Sequence, residues 1–327
     1  MAAPTLQVTR LTKVFGPHRA VSDLSFTASA GDIVGFVGPN GAGKTTTIRM
    51  LSTVLDPTSG EFAVAGVPGS RPTEIRRRIG VLPERAGYPG GRTGREYLRY
   101  FGRLFGQGKT TADRQAGRLL DEFGLRDRGD WPISTYSGGM RQRLGIARAV
   151  VNDPVVVFLD EPTLGLDPAG QQQVLDIVRG LAQQRGATVL LSTHALAVVE
   201  QICSSVLVLD RGQVVSAGSV AEVIGRVEDR RRLRLRVPAE LVEQARIALA
   251  GLARPELEIA ADRSGLLTVD LAGPVRPDGP AGPAPDDADP GGPALRAVLD
   301  AGIPVLSFEV EGSRLSDAFL SITSRSR

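Results

Sequence analysis

A single cysteine, Cys203, stands in a chain of 327 residues, so no internal disulfide framework can form and the thiol content fits a reducing compartment. Cys203 lies in the apolar run AVVEQICSSVLVL and reads as a small buried hydrophobe. Long apolar segments are missing as well. No stretch reaches the ~20 apolar residues that a bilayer crossing needs, and the N-terminal MAAPTLQVTRLTKVF has no signal-peptide core. On this reading any work at a membrane goes through a partner. Charge of one sign is also lacking, since 39 Lys and Arg against 36 Asp and Glu leave a net charge of +3. With charges so nearly balanced, a pI near 9.3 does not point to a nucleic-acid partner, and none is expected.

What remains is ordinary globular composition, 42% hydrophobic and 23% charged, long enough for about two domains of ~150 residues. The first segment alternates as strands do in LQVTRL and LSFTAS, and DIVGFVG runs as a strand into a Gly-rich loop. KTTTIRMLSTVL then recurs at helical spacing, and GEFAVAG and RRIGVLPE return to strand character. From Thr93 to Ala149 helical periodicity dominates, in GREYLRYFGRLFG, ADRQAGRLLDEFGL and GMRQRLGIARAVV. The short apolar runs VVVFLD, ATVLLSTH and SVLVLDRG follow, with helical AGQQQVLDIVRGLAQQRG between the first two. Continuous apolar strands alternating with helices predict a parallel sheet covered on both faces.

Composition shifts near Gly225, dividing the chain into residues 1–224 and an accessory domain, 225–327. The segment RRRLRLRV places Leu233, Leu235 and Val237 on one face of a strand and arginines on the other. A helix, two strands, a helix and a strand follow, giving the order β-α-β-β-α-β of a split βαβ unit. Within it, residues 274–293 are so rich in Pro, Gly and Asp that a disordered loop is expected. The tail SRLSDAFLSITSR predicts a short helix with Leu315, Ala318, Phe319 and Ile322 on one face.

Chemistry concentrates in four places. GPNGAGKTT comprises Gly38, Pro39, Asn40, Gly41, Ala42, Gly43, Lys44, Thr45 and Thr46, and fits G-x-x-x-x-G-K-[ST] between a strand and a helix. Its backbone N–H groups suit phosphate oxygens, Lys44 the β and γ oxygens, and the Thr45 hydroxyl Mg²⁺. Asp160 and Glu161 end an apolar strand, at the edge where open α/β sheets bind ligands. Asp160 suits the surroundings of Mg²⁺, and Glu161 is placed to polarise an attacking water. His194 ends another strand at the same edge and reads as a γ-phosphate contact. Finally, Ser137, Gly138 and Gly139 precede a long helix, whose start is a second anion site.

Together these residues resemble the ABC ATPase family, over residues 5 to 222. The ordered motifs that carry the resemblance are TKVFG, the P-loop, YSGGM, FLDEP, LGLD and the His194 position. The fold it implies is α/β, a P-loop NTPase core of ABC type with antiparallel β and helical subdomains, plus the small C-terminal α+β domain. The implied substrate is ATP with Mg²⁺. Phe15 would stack on adenine, and Asp167 matches the D-loop acid that crosses the dimer interface. In that family two cassettes meet head to tail, and each Ser-Gly-Gly turn caps the γ-phosphate on the other copy's P-loop.

Two departures stand out. Met140 closes the signature where Gln is usual, and Glu84 replaces the usual loop glutamine. A carboxylate at Glu84 can ligate Mg²⁺, orient water or stand as a solvated loop residue. Both departures, and the terminal LSDAFLSIT, resemble exporter subunits of the daunorubicin-resistance type. The resemblance implies a peripheral ATPase on the cytoplasmic side of the cell membrane. It would be homodimeric through its ATP sites, touch the membrane only through a separate transmembrane permease, and power efflux of a drug or antibiotic. The alternative is a soluble, non-transporting ABC ATPase with a regulatory role.

Overall fold

Alternating apolar residues in Leu6–Phe15 and His18–Ala28 produce two long antiparallel strands, β1 and β2, joined across Gly16 and Pro17. The alternation of β1 breaks at Arg10, which takes a left-handed backbone (φ 47°) where the pairing register with β2 shifts. Such a bulge turns the strand. Strand β3 (Ile33–Val37) is buried at every position, and the chain passes from it through the Gly-rich loop into helix α1 (Lys44–Leu51). Strands β4 (Ser59–Val64) and β5 (Val67–Pro68) complete a four-stranded antiparallel sheet of order β2-β1-β4-β5.

After α2 (Pro72–Arg76) and β6 (Ile79–Leu82) come three helices, α3 (Gly94–Leu104), α4 (Lys109–Glu122) and α5 (Gly138–Ala149). A capping box starts α3: the Glu96 N–H donates to Thr93 Oγ1 at 3.1 Å, and the Thr93 N–H to Glu96 Oε2 at 3.2 Å. Strand β7 (Val156–Asp160), helix α6 (Pro168–Gln183), strand β8 (Thr188–Thr193), helix α7 (Leu196–Ile202) and strand β9 (Ser205–Asp210) follow. The last strand of this group, β10 (Gln213–Ser219), pairs antiparallel with β9. The resulting six-stranded sheet has the order β10-β9-β3-β8-β7-β6 and is parallel except at β10. Its five parallel strands are nearly wholly apolar because both faces are covered. One core packs around Leu119, Leu144 and Leu191, the other around Phe36, Met50 and Phe158.

The structure is a computed structural model and describes residues 4–225, 231–251, 257–261, 265–271, 291–311 and 314–325. By internal contacts the chain divides into Met1–Val220 and Ala221–Arg327, with α8 (Val220–Gly225) at the division. In the second unit β11 (Arg231–Arg236), α9 (Val242–Ala250), β12 (Leu257–Ala261), β13 (Leu266–Leu271), α10 (Gly291–Asp300) and β14 (Ser307–Glu311) follow the β-α-β-β-α-β order. The sheet order is β12-β13-β11-β14, antiparallel throughout. Leu233, Leu235 and Val237 are buried in its own core, so truncating Leu235 to Ala should cost about 2–5 kcal/mol. Helix α11 (Leu315–Arg325) closes the chain with Leu315 and Ala318 buried. The expected disordered loop needs one correction: residues 291–293 open α10, where apolar Ala294 and Val298 repeat at helical spacing and are buried. Residues 274–290 lie outside the described residues.

Candidate functional site

The Gly-rich loop fits its neighbours only because two positions lack a side chain. A Cβ on Gly38 would stand 2.3 Å from the Leu209 carbonyl oxygen, and one on Gly43 2.5 Å from that of Ala20. Gly43 also caps α1 with a left-handed φ of 101°, a conformation open to glycine at little cost. Chain entry at this angle leaves the first N–H groups of α1 without helical partners, at the positive end of the helix dipole. Lys44, buried beside them, donates from Nζ to the carbonyls of Gly38 at 2.5 Å and Pro39 at 3.1 Å. Burial lowers the Lys44 pKa, while Glu161, Asp160 and Glu84 pull it back up. Lys44 is therefore a buried cation balanced by three nearby carboxylates, and added negative charge would favour it further.

Strand β7 delivers the first two of those acids. Asp160 is buried and accepts from Thr45 Oγ1 at 3.1 Å and, in a shorter bond, from Ser192 Oγ of β8. One residue on, Glu161 turns out of the sheet with φ 50°. Its N–H is held by the Ser192 carbonyl at 3.1 Å and hydroxyl at 3.2 Å. A non-glycine residue in the left-handed region is uncommon, and here two bonds fix it. His194, just past β8, brings Nδ1 to 3.0 Å from one Glu161 carboxylate oxygen. The Glu161 side chain is 11% exposed and that of His194 56%, so the acid lies deep and the imidazole at the mouth.

These groups share one cavity of about 500 Å³. Asn40 through Thr46, Phe15, Glu84, Glu161 and His194 all line it. Gly38 and Pro39 reach it through Lys44, and Asp160 through Thr45. Two further lining residues, His18 and Ala20, belong to no motif, and a third, Leu164, opens LGLD. His18 is the cross-strand partner of Phe15 at the β1–β2 turn, so strand pairing, once known, would have found it. Phe15 is 46% exposed, with Lys13 Nζ 5.1 Å from its ring centroid.

The remaining anticipated residues lie apart from this cavity. Ser137 caps α5 and accepts from the Met140 N–H at 3.2 Å. Asp167 caps α6 and accepts from the Gly170 N–H at 3.0 Å. Gly138 and Gly139 have no positive φ, and an added Cβ at either would come no closer than 4.0 Å to any atom, Leu166 Cδ2. Packing within the chain thus gives no reason for glycine at either position.

Among the described residues no group of three or more His, Cys, Asp or Glu is arranged to hold a metal ion. The donors at hand are hard oxygens, the Thr45 hydroxyl and the Asp160 carboxylate. That small set fits Mg²⁺, which keeps water and takes substrate phosphates as its other ligands. Lysine, helix start and strand-end acids around a cavity at the carboxyl edge of a parallel sheet define the P-loop nucleoside triphosphatases.

Comparison with known proteins narrows the class. Residues 21–164 match the family model described as ABC transporter. The chain is 39% identical, over 97% of its length and 92% of the relative's, to the daunorubicin/doxorubicin resistance ATP-binding protein DrrA of Streptomyces peucetius. It is also 39% identical to the Nod factor export ATP-binding protein I of Burkholderia lata, over 67% of this chain and 72% of that one. A solved ATP-binding subunit of an ABC transporter superposes with TM-score 0.62 at 30% identity, covering 68% of this chain and 92% of that chain. The fold is shared by a dimeric ATP-binding cassette, MJ0796, in a post-hydrolysis state bound to ADP and Pi. That likeness has TM-score 0.60 at 23% identity and covers 65% of this chain and 98% of that chain. The chain belongs to the ATP-binding subunits of ABC transporters. Its reaction is the hydrolysis of ATP.

Proposed function

We propose that this chain is the energy-supplying subunit of an exporter for a drug, antibiotic or related compound, working as a homodimer on the cytoplasmic side of a separate membrane permease. The names of its relatives support the cargo class. Among the described residues no helix is long and apolar enough to cross a membrane. In this reading residues 1–224 do the nucleotide work and 225–327 form an accessory domain.

One observation carries the dimer. The Ser137–Gly139 turn has an exposed helix start, takes no part in its own chain's cavity, and carries glycines that internal packing does not demand. An anion site left open in this way suits the γ-phosphate held by a second copy. Two copies facing each other each complete the other's pocket, and ATP becomes the link between them. Asp167 lies beyond the same motif region and would meet the facing copy.

Within each pocket the chain's groups divide the chemistry. Phe15 stacks on the base, the 40–46 backbone and Lys44 bind the β and γ phosphates, and Thr45 with Asp160 would hold Mg²⁺. Bound Mg²⁺ supplies neutralisation of phosphate charge. Glu84 lines the same cavity, near enough for Lys44 to feel its charge, and can add a ligand or orient water. Glu161 orients the attacking water and accepts its proton, and His194 holds Glu161 through Nδ1–H; only with a second proton on the ring would Nε2–H donate to the γ-phosphate.

Mixing two inactive variants tests the shared pocket. Lys44→Ala and Ser137→Ala are each expected to hydrolyse ATP poorly. Mixed one to one, random pairing gives half hybrids with one intact pocket each, so about a quarter of the wild-type rate should return. No recovery at any mixing ratio would mean that each pocket is completed within one chain. Recovery of a membrane protein with Glu161→Gln held in ATP tests the permease.

A further inference from the structure

The loop that carries Glu84 is fastened more tightly than its exposure suggests. Strand β6 ends at Leu82, and the chain runs through Glu84 to the half-buried Tyr88 before α3 begins. The Tyr88 hydroxyl donates to the Arg141 carbonyl in the first turn of α5 at 2.8 Å. That carbonyl also belongs to the helix ladder, and its second lone pair is what Tyr88 takes.

One turn further along α5, Gly145 makes the room. A Cβ there would stand 2.5 Å from the Tyr88 hydroxyl and 2.7 Å from Leu82 Cδ1. On the same face of α5, Arg148 donates to the Val81 carbonyl and lies over the Phe101 ring, 5.3 Å from its centroid. Arg141, Gly145 and Arg148 are spaced i, i+4, i+7, one stripe of a helix. The segment from Val81 to Tyr88 is thus held to α5 at both ends, and Glu84 is suspended between the two anchors, facing the ATP cavity. The same helix is capped by Ser137. Loss of water around the phenol, then the neighbouring Tyr97, pushes the Tyr88 pKa up to about 12. The hydroxyl therefore remains a donor throughout the neutral range.

We propose that Tyr88 is a positioning residue for ATP hydrolysis, whose hydroxyl fixes the Glu84 loop to α5 through the Arg141 carbonyl and so sets Glu84 in the nucleotide cavity. The proposal rests on Glu84 acting on the nucleotide as described above.

The test is a double-mutant cycle in the full chain, with Tyr88→Phe, Glu84→Ala and the pair, each read by single-turnover hydrolysis at enzyme excess. Following the reaction for hours keeps slow variants measurable. Tyr88→Phe keeps the ring against Tyr97, 5.7 Å between centroids, and deletes only the hydroxyl. It should slow hydrolysis about fivefold to tenfold, leave ATP affinity within about twofold, and cost less than about twofold once Glu84 is alanine. Gly145→Ala, whose Cβ would displace the hydroxyl and also press on Leu82 at the other end of the segment, should give a Glu84-dependent loss of the same kind and serves if Tyr88→Phe melts early. An equal loss in both backgrounds would make Tyr88 a packing residue and overturn the proposal. So would a wild-type rate for Tyr88→Phe beside a slow Glu84→Ala, which would leave the role of Glu84 standing. A wild-type rate for Glu84→Ala itself would remove that role, and the latch with it.

Discussion

His194 presents one nitrogen, Nδ1, to both carboxylate oxygens of Glu161, at 3.0 and 3.1 Å. A neutral imidazole carries one N–H, and here it is spent on the acid, so the ring steers Glu161 before it can touch a phosphate. The two residues should then act largely as a unit. Glu161→Gln should lower kcat about 100-fold or more while ATP still binds, because proton transfer is lost while the side chain keeps its shape and no longer repels the phosphates. Light scattering should show an ATP-dependent dimer for this variant, and a monomer in excess Mg-ATP would refute the shared pocket. His194→Ala should cost less, about tenfold, and add little in the Glu161→Gln background.

Thr45 donates to Asp160 across 3.1 Å, and Ser192 supports the same carboxylate oxygen from β8. An acid held so rigidly on a buried strand end would, in the proposed site, meet Mg²⁺ from a fixed position with little entropy left to lose. Asp160→Asn should therefore raise the Mg²⁺ concentration for half-maximal hydrolysis about tenfold or more, in keeping with the weight of a single carboxylate at a Mg²⁺ site. Chelation by EDTA should stop turnover in the parent. A variant with unchanged Mg²⁺ demand would show that Asp160 does not serve the metal.

Phe15 sits at the cavity mouth with one face toward Lys13 and half of its surface open. A flat ring offered in this way recognises a base by its π-face, not by its edge. Phe15→Ala should weaken ATP binding about fivefold to tenfold, Phe15→Trp should not, and GTP should suffer from Phe15→Ala as much as ATP does. Selective loss of ATP alone, measured by nucleotide titration, would point to contacts at the base edge instead.

Much of this arrangement can be read along the chain because it is local. The glycine spacing puts Asn40–Thr46 at a strand–helix junction, and the apolar run VVVFLD leaves Asp160 at a strand end, where the fold has them. Leu233 and Leu235 likewise announce one face of β11 by alternation, and buried Val237 continues it just past the strand. What escapes the sequence is pairing over distance. His18 reaches the cavity through its cross-strand place opposite Phe15. Tyr88 meets Arg141 through a backbone carbonyl, an acceptor that every residue type offers and no motif records. Nor does the sequence announce the edge strand β10, since QVVSAGS mixes small and polar residues as a loop does and gains its order from β9.

Cys203 closes α7 and packs against the core, and burial pushes its thiol from 9.0 up to about 12. Its Sγ would lie 3.0 Å from a Cβ placed on Gly35 of β3, so the space around it is already full. Only the thiolate alkylates, and at pH 8 a shift of this size lowers its fraction about 1000-fold. Iodoacetamide should therefore label the native protein slowly and the urea-unfolded protein fast, with the native rate following global unfolding. The sign for stability is fixed by the same shift: above pH 9 the unfolded thiol ionises first, so the folded state holds more protons and stability falls as pH rises toward 12. Cys203→Ala should remove that part of the alkaline loss while opening a small cavity. Rapid labelling of the folded protein at pH 8 would show that α7 opens locally beside β3, and would place the thiol in contact with water.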